Sequence, residues 1–274
     1  MKLHLLNLGP IKRAEIELGD VTIFIGKPNT GKSLAMREIF RFLREKGIKD
    51  KDIADLHRDR VFWTFQSLFV QGIAREFGKL GNYDDKIYKI VKPLLKGQVR
   101  YLGEKLVYEE EGKIIPWEYV SASVLEIVSF LLSVKEGSVV LYEEPENHLH
   151  EELQLLMGIV LYALSSTNPI VVTTHSQTIF YTIAHLSILR PTKDELKDLF
   201  EDLKVRDYEA LAEAVEKANQ KEVEVKIYHF TEGEVKDVNV DEAVKGMPGT
   251  IDELKKEFKW VSSLHSKRLF GEVE

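Results

Sequence analysis

The sequence predicts an α/β fold with a mostly parallel central sheet, antiparallel strands at the N-terminus and a helical insertion. Three observations lead there. Residues 21–25 (VTIFI) form a continuous β-branched run, the pattern of a strand buried on both faces. From residue 124 to residue 186, apolar β-rich runs alternate with stretches of helical period, which implies parallel strands joined by crossover helices. At the start, two short runs that alternate apolar and polar residues, 3–8 and 11–18, meet at the Gly9-Pro10 turn.

The elements follow in order. After VTIFI the period predicts a helix from Lys32 to about Glu45, ended by Gly47. Residues 69–77 and 86–95 have helical period, with Pro93 near the end of the second stretch. Residues 98–108 and 113–119 read as a hairpin around 109–112. A helix over 124–134, a strand over 139–142, a helix over 148–164, a strand over 170–174 and a helix over 177–186 come next. Residues 191–220 are strongly charged with helical period and read as a solvated face. A second hairpin over 222–230 and 234–240 and an amphipathic helix over 251–269 complete the chain. The simplest organisation is one domain over 1–274, with an insertion at 50–119 and a C-terminal extension at 191–274.

Composition narrows the function. The formal net charge of −7 argues against nonspecific coating of nucleic acid, which a basic protein would do. With no cysteine, disulfides, thiolate metal sites and cysteine nucleophiles are all excluded, in keeping with a reducing cytoplasm. No apolar run approaches the roughly 20 residues of a membrane span, and the first eight residues are too interrupted by Lys2, His4 and Asn7 for a signal peptide. The expected location is cytoplasmic, away from membranes.

Chemistry enters at Gly26-Lys27-Pro28-Asn29-Thr30-Gly31-Lys32-Ser33, which matches GxxxxGK[ST] in full between a buried strand and a helix. In such a phosphate-binding loop the backbone N–H groups wrap phosphates and the helix N-terminus adds partial positive charge. Lys32 is the residue that reaches the β- and γ-phosphates of a nucleotide, and the Ser33 hydroxyl ligates Mg²⁺; the loop alone does not separate kinases, GTPases and ATPases. Further on, Val139-Val140-Leu141-Tyr142 ends in Glu143-Glu144-Pro145-Glu146, an apolar strand with tandem carboxylates at its tip. Adjacent side chains on a strand point to opposite faces, so the two acids divide the work. Glu143 belongs to the Mg²⁺ shell, and Glu144 polarises the attacking water.

With these strings in place the chain resembles the ABC-type ATPases, in particular their soluble SMC/RecF/OLD-like branch. The resemblance rests on Asn7-Leu8-Gly9-Pro10-Ile11-Lys12, on Phe24 through Ser33, and on Glu143-Glu144-Pro145-Glu146-Asn147-His148-Leu149-His150, close to EEPExHLHP with Glu151 in place of the last proline. It covers residues 1–50 and 120–190 well and the rest loosely. It implies a P-loop NTPase fold of ABC type. It also implies that the stretch through His150 crosses to a second subunit, and that His175, in Ile170-Val171-Val172-Thr173-Thr174-His175-Ser176, senses the γ-phosphate or the attacking water. The family's signature turn corresponds to Val120-Ser121-Ala122-Ser123-Val124-Leu125-Glu126, where Ser121 matches the phosphate-contacting serine and Ser123 stands at the glycine position. Read without the family, this is a Ser-rich helix N-cap able to meet an anion. The metal-side acid is usually Asp in the family; here it is Glu143. The glutamine that joins Mg²⁺ to the insertion is assigned to Gln66, with Gln71 and Gln98 as rivals. The interval between Lys32 and Ser121 has no sustained heptads, so no coiled-coil arm is expected.

Other features weigh less. His148 and His150, two apart on the expected helix, do not share a face and make a poor metal pair. Lys12 and Arg13 have two readings, a contact over adenine or ribose and plain surface charge, with the second slightly favoured; Phe62, Trp63, Phe65 and Phe69 read as core or subunit contact ahead of base stacking. Three functions compete: an ATP-hydrolysing, ATP-dependent homodimerising switch acting on DNA or a protein partner, a P-loop kinase, and an ATP-binding assembly module without hydrolysis. The tandem acids and the later Thr-His-Ser favour the first.

Overall fold

The computed structural model describes residues 1–57, 84–102 and 105–245. Gln66, Gln71, the aromatic group at 62–69, the helix expected at 69–77 and the one at 251–269 lie outside the described residues.

Strands β1 (Lys2–Leu8) and β2 (Ile11–Glu17) pair antiparallel through the Gly9-Pro10 turn, with Leu8 opposite Ile11. Strand β3 (Val21–Gly26) leads through the Gly26–Ser33 loop into helix α1 (Lys32–Glu45). Strand β4 (Ile53–Leu56) follows, then helix α2 (Asp85–Val91), which tightens into a 3₁₀ turn, Lys92–Leu94, at Pro93. Proline has no N–H for the α ladder, and this is why the helix stops short of residue 95.

Strands β5 (Gln98–Leu102), β6 (Lys105–Glu110) and β7 (Lys113–Ile115) form a separate antiparallel sheet. The expected two-stranded hairpin is therefore a three-stranded meander. The run 98–108 breaks into two strands because Val99 pairs back onto Tyr108, and only β6–β7 turns at Glu111-Gly112.

The remaining elements are helix α3 (Ala122–Ser133), strand β8 (Val139–Glu143), helix α4 (Glu151–Leu164), strand β9 (Ile170–Thr173), helix α5 (Gln177–Leu189), helices α6 (Lys193–Asp202) and α7 (Glu209–Lys221), strands β10 (Val225–Phe230) and β11 (Val235–Val238), and the short helix α8 (Val240–Ala243). Helix α4 begins at Glu151, so His148 and His150 precede it in a turn. The helical argument about their faces does not apply to them.

The central sheet has the order β11-β10-β3-β9-β8-β4. Its neighbours are parallel except for the antiparallel edge pair β10–β11. Hairpin β10–β11 forms as its local pattern suggests, but β10 also lies beside β3, with Phe230 opposite Gly26.

Both faces of the sheet are covered, which is why its central strands β3, β9 and β8 read as nearly unbroken apolar runs. Phe24, Leu141 and Val171 face one core with Ala35, Met36 and Ile39 of α1 and with Leu5, Ile11 and Ile16 of the β1–β2 ribbon. Ile23, Ile25, Val140, Tyr142 and Val172 face the other core, built from α3, α4, α5 and α7. The charged stretch 191–220 is solvated along only part of its surface: Leu196, Phe200, Leu211, Val215 and Ala218 are buried in that core. Its charges sit on the outer side of amphipathic helices, a distinction that net charge along a segment does not make. Among the described residues no helix is long and apolar enough to cross a membrane.

Candidate functional site

In an open parallel sheet, loops at the C-terminal ends of the strands converge on one edge, and ligand sites form there. Here the ends of β3, β9, β8 and β10 bring together the residues singled out by sequence. The loop after β3 is shaped by backbone geometry. Gly26 has φ 133°, and a Cβ there would stand 2.2 Å from the Phe230 carbonyl oxygen. Gly31 has φ 102° and packs under Ile11. Between them Asn29 takes a left-handed φ of 62°, and Thr30 Oγ1 donates to the Lys27 carbonyl at 2.8 Å. Lys27, Pro28 and Asn29 are exposed, whereas Thr30, Gly31 and Lys32 are buried.

Helix α1 starts at this loop, and among the described residues no side chain caps it. Its first N–H groups are the kind of donors an anion accepts from. Lys32 Nζ lies inside the curve of the loop and donates to the Gly26 and Lys27 carbonyls, both at 2.8 Å. Burial pushes its ammonium below the ordinary lysine value, and the carboxylates of Glu144, Glu146 and Glu143 act against that shift. Those opposing effects place three acids within electrostatic reach of the loop lysine. Ser33, next along α1, is half-buried.

Glu143 ends β8 opposite Thr173 and lies on the same face as Leu141, the α1 side of the sheet. Glu144 is not a further strand residue. Its φ of 50° is left-handed, and its N–H donates to the Thr173 carbonyl at 2.9 Å. The tandem acids are thus set apart by a left-handed turn, where the sequence reading expected strand alternation. A non-glycine residue in this region is uncommon and is held there by its surroundings.

Strand β9 lies between β3 and β8, so the residues after it enter the gap between the Gly26–Ser33 loop and the acids. His175 Nε2 stands 3.9 Å from Glu144 Oε1, and Asn147 Nδ2 donates to Glu144 Oε2 at 3.2 Å.

Several residues of this edge had no role in the sequence reading. Glu146 accepts from the His175 N–H at 2.6 Å and from the Thr174 hydroxyl at 2.8 Å. Thr174 Oγ1 in turn accepts from the Ser176 N–H, and the Ser176 hydroxyl donates to Gln154 Oε1 at 2.6 Å. On β4, Asp55 is a fourth acid near the site. Burial raises its carboxyl above the ordinary value, the neighbouring His57 pulls it down, and Glu143 pushes it up again. The string Glu-Pro-Glu drew attention to position 146. Asp55 carried no signal, because only the β4–β8 pairing brings it to the site.

Ser121 caps α3, exposed, accepting from the Val124 N–H at 3.3 Å. Ser123, at the position where the resembled family has glycine, donates to the His148 carbonyl and ties α3 to the loop after Glu144. Glu126 is buried and accepts from the Tyr142 hydroxyl at 2.9 Å. Gln98 stands exposed at the start of β5, in the separate sheet. Lys12 and Arg13 are exposed on β2, where the Lys12 N–H donates to the Gly233 carbonyl at 3.2 Å.

No protein-family model matches the sequence, and no curated protein matches it. Among solved structures, an SMC head bound to the C-winged helix domain of ScpA has a TM-score of 0.51 at 11% identity, over 89% of this chain and 99% of that one. The SMC head domain from Thermotoga maritima has a TM-score of 0.46 at 10% identity, over 86% and 97%. The first likeness speaks to the fold alone: a mixed α/β chain with a mostly parallel sheet, similar in fold to an SMC head.

Proposed function

We propose that this chain is an ABC-type ATPase that works as an ATP-dependent homodimerising switch. The observation that carries the reading is the convergence at one sheet edge: Lys32 within the loop, three carboxylates acting on it, and His175 facing Glu144 at 3.9 Å. The loop backbone and the start of α1 bind the triphosphate of ATP. Lys32 turns its ammonium from the loop carbonyls to the β- and γ-phosphates. Glu144, held in its left-handed turn, accepts the proton of the attacking water, and His175 orients that water against the γ-phosphate.

The donor set also fits Mg²⁺, which takes hard oxygen ligands. Ser33 and Glu143 would hold it, with Gln66 as a further ligand, and when bound it neutralises charge developing on the phosphates. In the dimer each α3 N-terminus, with Ser121 at its cap, faces the γ-phosphate of the other copy. Neither copy has a complete site alone, so basal turnover is slow. The switch acts on DNA or on a protein. The SMC head of similar fold is bound to a winged-helix domain, which favours the protein.

The test is the solution mass of Glu144→Gln with Mg-ATP and again with Mg-ADP. The change keeps a hydrogen-bonding side chain but removes the base, so ATP persists. A dimer with ATP only is expected. A monomer under both conditions overturns the shared-site switch and leaves a kinase or a partner-dependent ATPase as the better reading.

A further inference from the structure

Glu146 lies outside the strand that presents Glu143 and has no part in the chemistry just described. It sits two residues past Glu144, in the turn between β8 and α4, and reaches across to the end of β9. Both of its carboxylate oxygens are engaged there, Oε1 by the His175 backbone N–H at 2.6 Å and Oε2 by the Thr174 hydroxyl at 2.8 Å. The turn is itself braced, by Asn147 N–H on the Glu144 carbonyl at 3.1 Å and by Leu149 N–H on the Glu146 carbonyl at 3.0 Å. A second path runs parallel to the first. Gln154 on α4 donates to the Leu149 carbonyl and accepts from the Ser176 hydroxyl, and Ser176 caps α5.

The last β9 ladder bond runs from the Thr174 N–H to the Phe24 carbonyl at 3.1 Å, so strand pairing holds residue 174 and stops short of the histidine. The Glu146 side chain joins the His175 backbone N–H to the turn that carries Glu144. We propose that Glu146 is the positioning residue of this site: by gripping the backbone of residues 174–175 it sets the imidazole of His175 against the carboxylate of Glu144. The inference rests on the ATPase reading for its effect on turnover but not for its geometry. The role needs acceptor oxygens more than charge, so a neutral isostere keeps most of it. Burial and the neighbouring Glu144 both press on the ionised form of this carboxyl, in keeping with a group used for its hydrogen bonds.

The experiment compares Glu146→Ala and Glu146→Gln in the full chain. Alanine is expected to lower kcat for Mg-ATP hydrolysis by about 10- to 100-fold, as a misplaced catalytic group does, with KM held within about 3-fold. Glutamine, which keeps an oxygen for the His175 N–H, is expected to recover most of that loss. Glutamine as damaging as alanine would show that charge is what matters and overturn the proposal, as would unchanged kcat in the alanine variant.

A second readout does not depend on hydrolysis. The His175 ring resonance, assigned by its loss in His175→Asn, is expected to move on Glu144→Gln in the wild-type background and to move less than half as far in the Glu146→Ala background. Equal movement in both overturns the positioning role. If wild-type protein fails to hydrolyse ATP while this coupling is present, the ATPase reading fails and the positioning inference stands. Should Glu146→Ala not fold, Thr174→Val removes one of the two grips and is measured in the same way, with the same outcomes deciding.

Discussion

At the residue scale, Glu146 has a price in stability that can be read from pH. Burial lifts its carboxyl above the ordinary 4.5; the donations from His175 and Thr174 oppose that shift, and Glu144 reinforces it. The folded chain therefore keeps this proton to higher pH than the unfolded chain does. The stability it contributes is fully present below about 4.5 and is lost as pH rises through the folded value. Glu146→Gln does not titrate, so its urea midpoint relative to wild type should shift in the variant's favour from about pH 4.5 to neutrality. A difference independent of pH would mean that the carboxyl is not raised. Lys32 is set by the same balance with the opposite charge. Burial disfavours its ammonium, and the carboxylates of Glu144, Glu146 and Glu143 act against that shift.

At the scale of elements, the Gly26–Ser33 loop and the turn after β8 are both shaped by left-handed backbone. At Gly26 only glycine serves: φ is 133°, and a Cβ would be 2.2 Å from the Phe230 carbonyl oxygen, a backbone atom that cannot swing aside. Gly26→Ala should cost about 3 kcal/mol or more in urea unfolding, from strain and overpacking together, and under the proposed function should weaken ATP binding as the loop shifts. Stability and affinity equal to wild type would mean that β10 yields easily. Helix α3 is joined to the turn after β8 by the Ser123 hydroxyl on the His148 carbonyl and to β8 itself by the Tyr142–Glu126 bond. In this chain the position that is glycine in the resembled family thus holds a bond, and the bond reaches the turn that carries Glu144.

At the scale of the whole molecule, the last described strands support the first loop. Strand β10 pairs with β3 along its length, and the Phe230 ring packs on Phe24 with centroids 4.9 Å apart. The turn before β11 also accepts from Lys12 on β2, which joins the β1–β2 ribbon to the sheet edge. Phe230 is fully buried, so Phe230→Ala should cost about 3–5 kcal/mol in urea unfolding through the cavity it leaves. A loss below about 1 kcal/mol would show that this hairpin is not part of the cooperative core.

Much of this was legible in local strings. VTIFI reads as a strand because it is apolar and β-branched throughout, and Gly26 to Ser33 reads as a phosphate loop because glycine, lysine and serine recur at the spacing that chemistry needs. By itself the sequence determined these elements, the order in which they occur and the identity of the acids and histidine offered at the strand ends. Tertiary structure alone decided that β9 inserts between β3 and β8, that β10 lies against β3, and that Asp55 and Glu146 join the site. The physical reason is that one buried parallel strand has the same local pattern as another. Which strands become neighbours is settled by backbone pairing and packing between residues as far apart as Gly26 and Phe230, and no local period encodes that choice.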